Sequence, residues 1–139
     1  IDANRCISYL TIENKGIIPV DPKDKIGNWV FGCDVCQMIC PHNAQAPVEP
    51  LSLGKPLLPE FIDLLDIFSY TAETFKKKFN QTPLARAKRS GILRNAAIVL
   101  GNQGYNKALP ILKDALSRES DPSVLDACDW AIAKIKRLN

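Results

Sequence analysis

Cys33, Cys36, Cys40 and Pro41 are spaced C-x2-C-x3-C-P, most of the thiolate run that holds iron in two-cluster ferredoxins. In the full run, C-x2-C-x2-C-x3-C-P, three thiolates bind one 4Fe-4S cluster and the last reaches over to a second. The place of the leading cysteine is taken by Val30, but Cys6 lies upstream, so a long insertion would separate the first ligand from the next two. Several sulfurs must converge on one cubane, so the thiolates belong on a short loop. The x3-Cys-Pro step turns the chain away. This predicts Cys6, Cys33 and Cys36 on one cluster and Cys40 on the other, with neither ligand set complete among the 139 residues. Four thiolates also suit a structural zinc, for which an isolated C-x2-C is common. The Cys-Pro ending favours iron.

The fifth cysteine, Cys128, sits alone in an amphipathic C-terminal segment and is assigned to the core, since a free cysteine commonly behaves as a small apolar residue. An odd count with four thiols in a metal-like arrangement argues against a secreted disulfide scaffold. His42, the sole histidine, has no partner at ligand spacing beyond the cysteines and reads as a polar loop residue. Asp34 and Glu13 are isolated carboxylates and form no acid–base pair. The net charge of +3 is unevenly spread, because residues 71–94 carry Lys76, Lys77, Lys78, Arg86, Lys88, Arg89 and Arg94 against Glu73 alone. Arg86 and Arg89, three apart, can share a helical face, and Arg94 opens the next segment, so a basic ridge is expected.

These groups need elements to hold them. With 46% hydrophobic and 24% charged residues the composition is that of a soluble globular protein. No apolar run approaches the ~20 residues of a membrane span, and the N-terminus lacks the pattern of a signal peptide, so a cytoplasmic location is expected. Residues 1–46 hold the cluster thiols and few periodic segments, as expected of a fold organised by inorganic clusters. Pro47, Pro50, Pro56 and Pro59 mark a connector over 47–59. Residues 60–139 read as helical. Phe61, Ile62, Leu64, Leu65 and Phe68 recur at helical spacing, and Thr71 caps a segment ending near Phe79. Thr82-Pro83 opens another, Ser90 caps the next after a break at Gly91, Gly101 and Gly104 stop it, and Asp121-Pro122 starts the last. Residues 93–101 match residues 125–133 at an offset of 32, the pattern of a HEAT-type helical hairpin repeat, with an ordinary helical bundle as the alternative. The expected fold class is mainly α: a partial bacterial ferredoxin-like iron-sulfur region followed by HEAT-like repeats.

Residues 5–13 (RCISYLTIE), 32–43 (GCDVCQMICPHN), 82–87 (TPLARA) and 91–97 (GILRNAA) closely resemble the epoxyqueuosine reductase family, and the likeness runs through the whole chain. The resemblance implies an oxidoreductase that uses cobalamin and two 4Fe-4S clusters to turn epoxyqueuosine into queuosine at the tRNA wobble position. It implies that the chain is a C-terminal portion of such an enzyme, with the cobalamin domain, the catalytic acid and the remaining cluster cysteines upstream, so that the portion alone is expected to be inactive. An external electron donor is implied, and the helical half would hold the tRNA anticodon stem-loop through Arg86, Lys88, Arg89 and Arg94, with Asn95 supplying a directional hydrogen bond. The competing expectations are a ferredoxin-like carrier fused to a helical protein-binding array, and a zinc-stabilised interaction module.

Overall fold

Asp121-Pro122 behaves as its chemistry dictates. The Asp121 carboxylate accepts the Ser123 amide at 2.9 Å, Pro122 occupies a first-turn position where its missing N–H is not needed, and a long helix follows. In the computed structural model, which describes residues 2–45, 58–59 and 61–139, the helices are α1 (Val20–Ile26), α2 (Val35–Met38), α3 (Leu64–Ile67), α4 (Ala72–Phe79), α5 (Lys88–Asn102), α6 (Leu109–Arg118) and α7 (Pro122–Leu138). Thr71 caps α4 as expected, its hydroxyl accepting from the Thr74 amide at 3.2 Å. Among the described residues there is no strand, and no helix is long and apolar enough to cross a membrane.

Helix α5 is the centre of the molecule. Every residue from Gly91 to Gly101 is buried, because α7 covers one side, α3 and α4 sit nearby, and the N-terminal segment covers another. The two segments matched at an offset of 32 are thus neighbours in space, α5 against α7. Gly101 permits this approach, since a Cβ there would lie 2.8 Å from Trp130 Cζ3 and 2.9 Å from the Ala131 Cα. We expect Gly101→Val to lower stability by about 1–3 kcal/mol through overpacking, read as a shifted urea midpoint at unchanged slope.

Several boundaries differ from expectation. Helix α5 runs unbroken through Ser90 and Gly91 and past Gly101 to Asn102; Gly104 (φ 61°) follows, and the Tyr105 amide reaches back to the Leu100 carbonyl at 3.2 Å, a Schellman cap that needs left-handed backbone. Helicity near residue 61 is shorter than the apolar spacing suggested, because Asp63 caps at the Leu65 amide (2.8 Å) and leaves Phe61 outside the helix, 83% exposed. Thr82 does not cap at all; its hydroxyl donates to the Phe79 carbonyl at 2.8 Å, and Pro83–Ala87 forms a 3-10 turn. Most of the 47–59 connector, including Pro47, Pro50 and Pro56, lies outside the described residues.

One hydrophobic core joins Leu10, Ile18 and Ile26 to Phe75, Leu93, Leu112 and Ile135. The insertion between Cys6 and Cys33 therefore packs into the same core as the helices. Its polar contacts reinforce this: Asn102 Nδ2 donates to the carbonyls of Lys23 (2.9 Å) and Gly27 (3.1 Å), Lys134 pairs with Asp24, and Lys23, 2% exposed, pairs with Asp126.

Candidate metal centre and nucleic-acid surface

Cys6 lies between a 3-10 turn, Ala3–Arg5, and a helical segment spanning 7–13 that ends in a π-turn, Tyr9–Glu13. Cys33 follows Gly32, whose φ of 74° is backbone that glycine adopts without a Cβ penalty. Cys36 sits in α2. Cys40 closes the loop, its carbonyl accepting the amides of Asn43 (3.1 Å) and Ala44 (3.2 Å), so the chain folds back sharply across Pro41. Asn43 Nδ2 ties this turn to the Gln37 carbonyl at 3.0 Å. Cys6, Cys33 and Cys40 are partly exposed, Cys36 is exposed, and all are free thiols. Met38 and Ile39, each 77% exposed, place apolar surface beside them.

Among the described residues no three His, Cys, Asp or Glu side chains are arranged around a single metal ion. Cys6 and the three cysteines of the loop, Cys33, Cys36 and Cys40, offer accessible thiols, the ligand chemistry of 4Fe-4S clusters, and they are the residues that would hold such clusters. His42, Asp34 and Glu13 enter no such set, and Glu13 instead pairs with Arg86. Cys128 differs from the four. It is fully buried, and burial, with Glu119 and Asp129 nearby, pushes its thiol up to about 12. In metal-free, reduced protein at mildly alkaline pH, we expect iodoacetamide to modify Cys6, Cys33, Cys36 and Cys40 while Cys128 reacts only on unfolding, read by peptide mass spectrometry.

The basic ridge divides in two. Arg86 is exposed (70%), and Lys88 is exposed at a backbone position with φ 61° and ψ 170°, a region rarely occupied except by glycine. Lys76, Lys77 and Lys78 lie in the last turn of α4, Lys76 beside Lys88 and Lys78 donating to the Tyr70 hydroxyl. Arg89 is not a free cation: its guanidinium grips Glu119 through two bonds of 2.8 and 2.6 Å and its Nε donates to the Tyr70 carbonyl at 2.6 Å. Arg94 and Asn95 depart from the expectation of RNA contact altogether. They are 1% and 0% exposed, because α5 turns them inward beneath the N-terminal segment, and their polar atoms are engaged there. Burial lowers the Arg94 pKa to about 10, which leaves it charged at neutral pH.

Glu119 is held below its ordinary value chiefly by the Arg89 hydrogen bonds. A depressed folded-state pKa contributes stability that is present above the unfolded value and disappears as pH falls through the folded one. Glu119→Gln is therefore expected to be less stable than the parent at neutral pH, with the gap closing as the pH drops through and below the usual glutamate range, measured by urea unfolding across pH.

Four accessible thiols beside a helical array are a set of donors that an iron–sulfur protein could use. Residues 1–43 match the family described as "4Fe-4S double cluster binding domain". Over its whole length the chain is similar to part of epoxyqueuosine reductases. It is 41% identical over 145 residues to the enzyme of Escherichia coli (strain K12), covering 100% of this chain and 37% of that protein. An epoxyqueuosine reductase structure from Streptococcus thermophilus superposes with a TM-score of 0.82 at 29% identity, covering 99% of this chain and 36% of that one. A crystal structure of epoxyqueuosine reductase with an epoxyqueuosine-modified tRNA-Tyr stem loop gives a TM-score of 0.79 at 31% identity, covering 97% and 36%. The chain thus spans little more than a third of the length of the relatives it matches.

Proposed function

We propose that this chain serves as the iron-sulfur and RNA-docking part of an epoxyqueuosine reductase, an enzyme that reduces epoxyqueuosine in tRNA to queuosine. The observation that carries the reading is the likeness over the whole chain to enzymes of that name, combined with four accessible thiols on the loop where the double-cluster family matches. Cys6, Cys33 and Cys36 would hold one cluster and Cys40 would contribute to a second. Bound clusters supply one-electron transfer, with electrons entering from an external donor. The cobalamin implied by the family is assigned to none of these residues, since the described cavities are grooves of about 290 to 430 Å³ lined by α3, α4, α5 and loop residues; we place it in the part of such an enzyme that this chain does not match. On this reading the chain alone does not turn over substrate, the helical half is a short HEAT-like array, and the protein works in the cytoplasm.

The RNA surface comprises the exposed cations: Arg86, 70% exposed although paired with Glu13, and Lys88, with Lys76 and Lys77 on the neighbouring helix. Phosphate contacts release counterions, so affinity for an anticodon stem-loop falls with salt. Arg86→Ala and Lys88→Ala are each expected to reduce the log–log salt slope by roughly 0.7 to 1, measured by fluorescence anisotropy. Arg89 counts for less here because it is mostly buried and held by two bonds to Glu119. Unchanged slopes in both variants would move the RNA site elsewhere.

A further inference from the structure

The helical segment that starts beside Cys6 ends at Glu13, and the last four carbonyls of any such segment lack a partner within it. Here side chains from elsewhere supply the donors. Arg94 Nη2 donates to the Leu10 carbonyl at 2.8 Å, Asn95 Nδ2 to the Thr11 carbonyl at 2.7 Å, and Lys15 Nζ to the Ile12 carbonyl at 2.7 Å. Arg94 Nη1 continues along the chain to the carbonyls of Asn14 and Gly16, both at 2.8 Å. The second donor hydrogen of Asn95 goes to a different segment, the Val30 carbonyl at 2.8 Å. Asn95 is oriented for this, because its Oδ1 accepts from Arg94 Nε at 3.1 Å and Nη2 at 3.0 Å.

The consequence concerns the thiols. Leu10 and Thr11 follow Cys6 by one helical turn, and the Leu10 amide is bonded to the Cys6 carbonyl at 2.9 Å. Val30 precedes Cys33 by three residues. A second bridge runs directly between the two strands of chain, since the Gly32 amide donates to Thr11 Oγ1 at 3.0 Å while that hydroxyl donates to the Ile7 carbonyl at 2.8 Å. One asparagine and one threonine therefore fix the register of two segments that are remote in sequence and carry the ligands assigned to a single cluster.

We propose that Arg94, Asn95 and Thr11 form a polar clasp that positions Cys6 against Cys33 and Cys36, so that Arg94 and Asn95 are positioning residues for the iron-sulfur centre and not RNA contacts. This rests on the iron-sulfur reading above. The clasp works by hydrogen-bond geometry. Loosening it lets the Cys6 segment shift relative to the Cys33 loop, which alters the cluster environment and weakens its hold.

The test uses the protein at its natural length, reconstituted anaerobically with iron and sulfide. Asn95→Asp keeps the size of the side chain and a partner for Arg94 but cannot donate to Thr11 and Val30; Thr11→Val keeps the packing and removes the bridge to Gly32. Each is expected to change the g-values or midpoint potential of one cluster in EPR-monitored titration and to speed iron release to a chelator roughly ten-fold or more, the scale on which groups supporting metal ligands act. Affinity for tRNA stays at the parent value. Leu112→Ala, a core variant in α6 remote from the clasp, loses stability while keeping the parent spectrum and release rate. Parent-like spectra and release in folded Asn95→Asp or, if that variant does not fold, in Thr11→Val would overturn the clasp. Failure of the parent itself to take up iron would instead overturn the iron-sulfur reading.

Discussion

On the proposed function, replacing Cys33 or Cys36 with serine is expected to remove one cluster, about half of the bound iron, and to abolish conversion of epoxyqueuosine. The hydroxyl of serine is a hard, rarely ionised donor where the cluster needs a soft thiolate. Cys40→Ser is expected to affect the other cluster, so the two classes of variant should remove different EPR signals. Cys128→Ser, in the core with a thiol raised to about 12, should leave the iron content intact. Iron and acid-labile sulfide analysis on anaerobically purified protein at its natural length checks this. Stoichiometric zinc with no iron uptake in the parent would contradict it.

The largest effect on stability is expected at Asp126. Its carboxylate is the partner of Lys23, whose side chain is 2% exposed and whose ammonium lies 5.7 Å from the Trp130 ring centroid. Removing one member of a buried pair leaves an uncompensated charge inside the protein, a loss of about 3–5 kcal/mol, whereas replacing both with apolar residues of similar volume is often neutral. Asp126 is itself partly exposed, so water can reach the site and the lower end of the range applies to Asp126→Ala. The double variant Lys23→Met, Asp126→Leu should recover most of the loss. Urea unfolding at neutral pH reads both, and a double variant as unstable as the single one would show that the pair is not what holds α1 to α7.

Local signals were legible where they act through a short stretch of chain. Thr71 and Asp121-Pro122 announced their helices because a cap needs only its own side chain and amides two or three residues on. The C-x2-C-x3-C-P spacing announced thiolate chemistry for the same reason. Charge alone was a poorer guide. Arg94 and Lys88 look alike in the sequence, and only the packing of residues 10–30 over α5 distinguishes an arginine that satisfies three backbone carbonyls from a lysine left on the surface. A faint signal was available, since Arg94-Asn95 is flanked by Leu93 and Ala96 in a run that is buried on every side, and a helix apolar around most of its circumference buries its polar residues too. The insertion between Cys6 and Cys33 carried no periodicity that would reveal its role. Its contacts, Lys23 with Asp126 and Asp24 with Lys134, span more than a hundred residues.

The most direct measurement is nucleoside analysis of tRNA from cells that lack their own epoxyqueuosine reductase and express this protein at its natural length, either unchanged or as Cys36→Ser. The expected result is queuosine with the unchanged protein and accumulated epoxyqueuosine with the variant. Epoxyqueuosine persisting with unchanged, iron-loaded protein, or queuosine forming equally well with Cys36→Ser, would contradict the assignment of these thiols to a tRNA-modifying reductase.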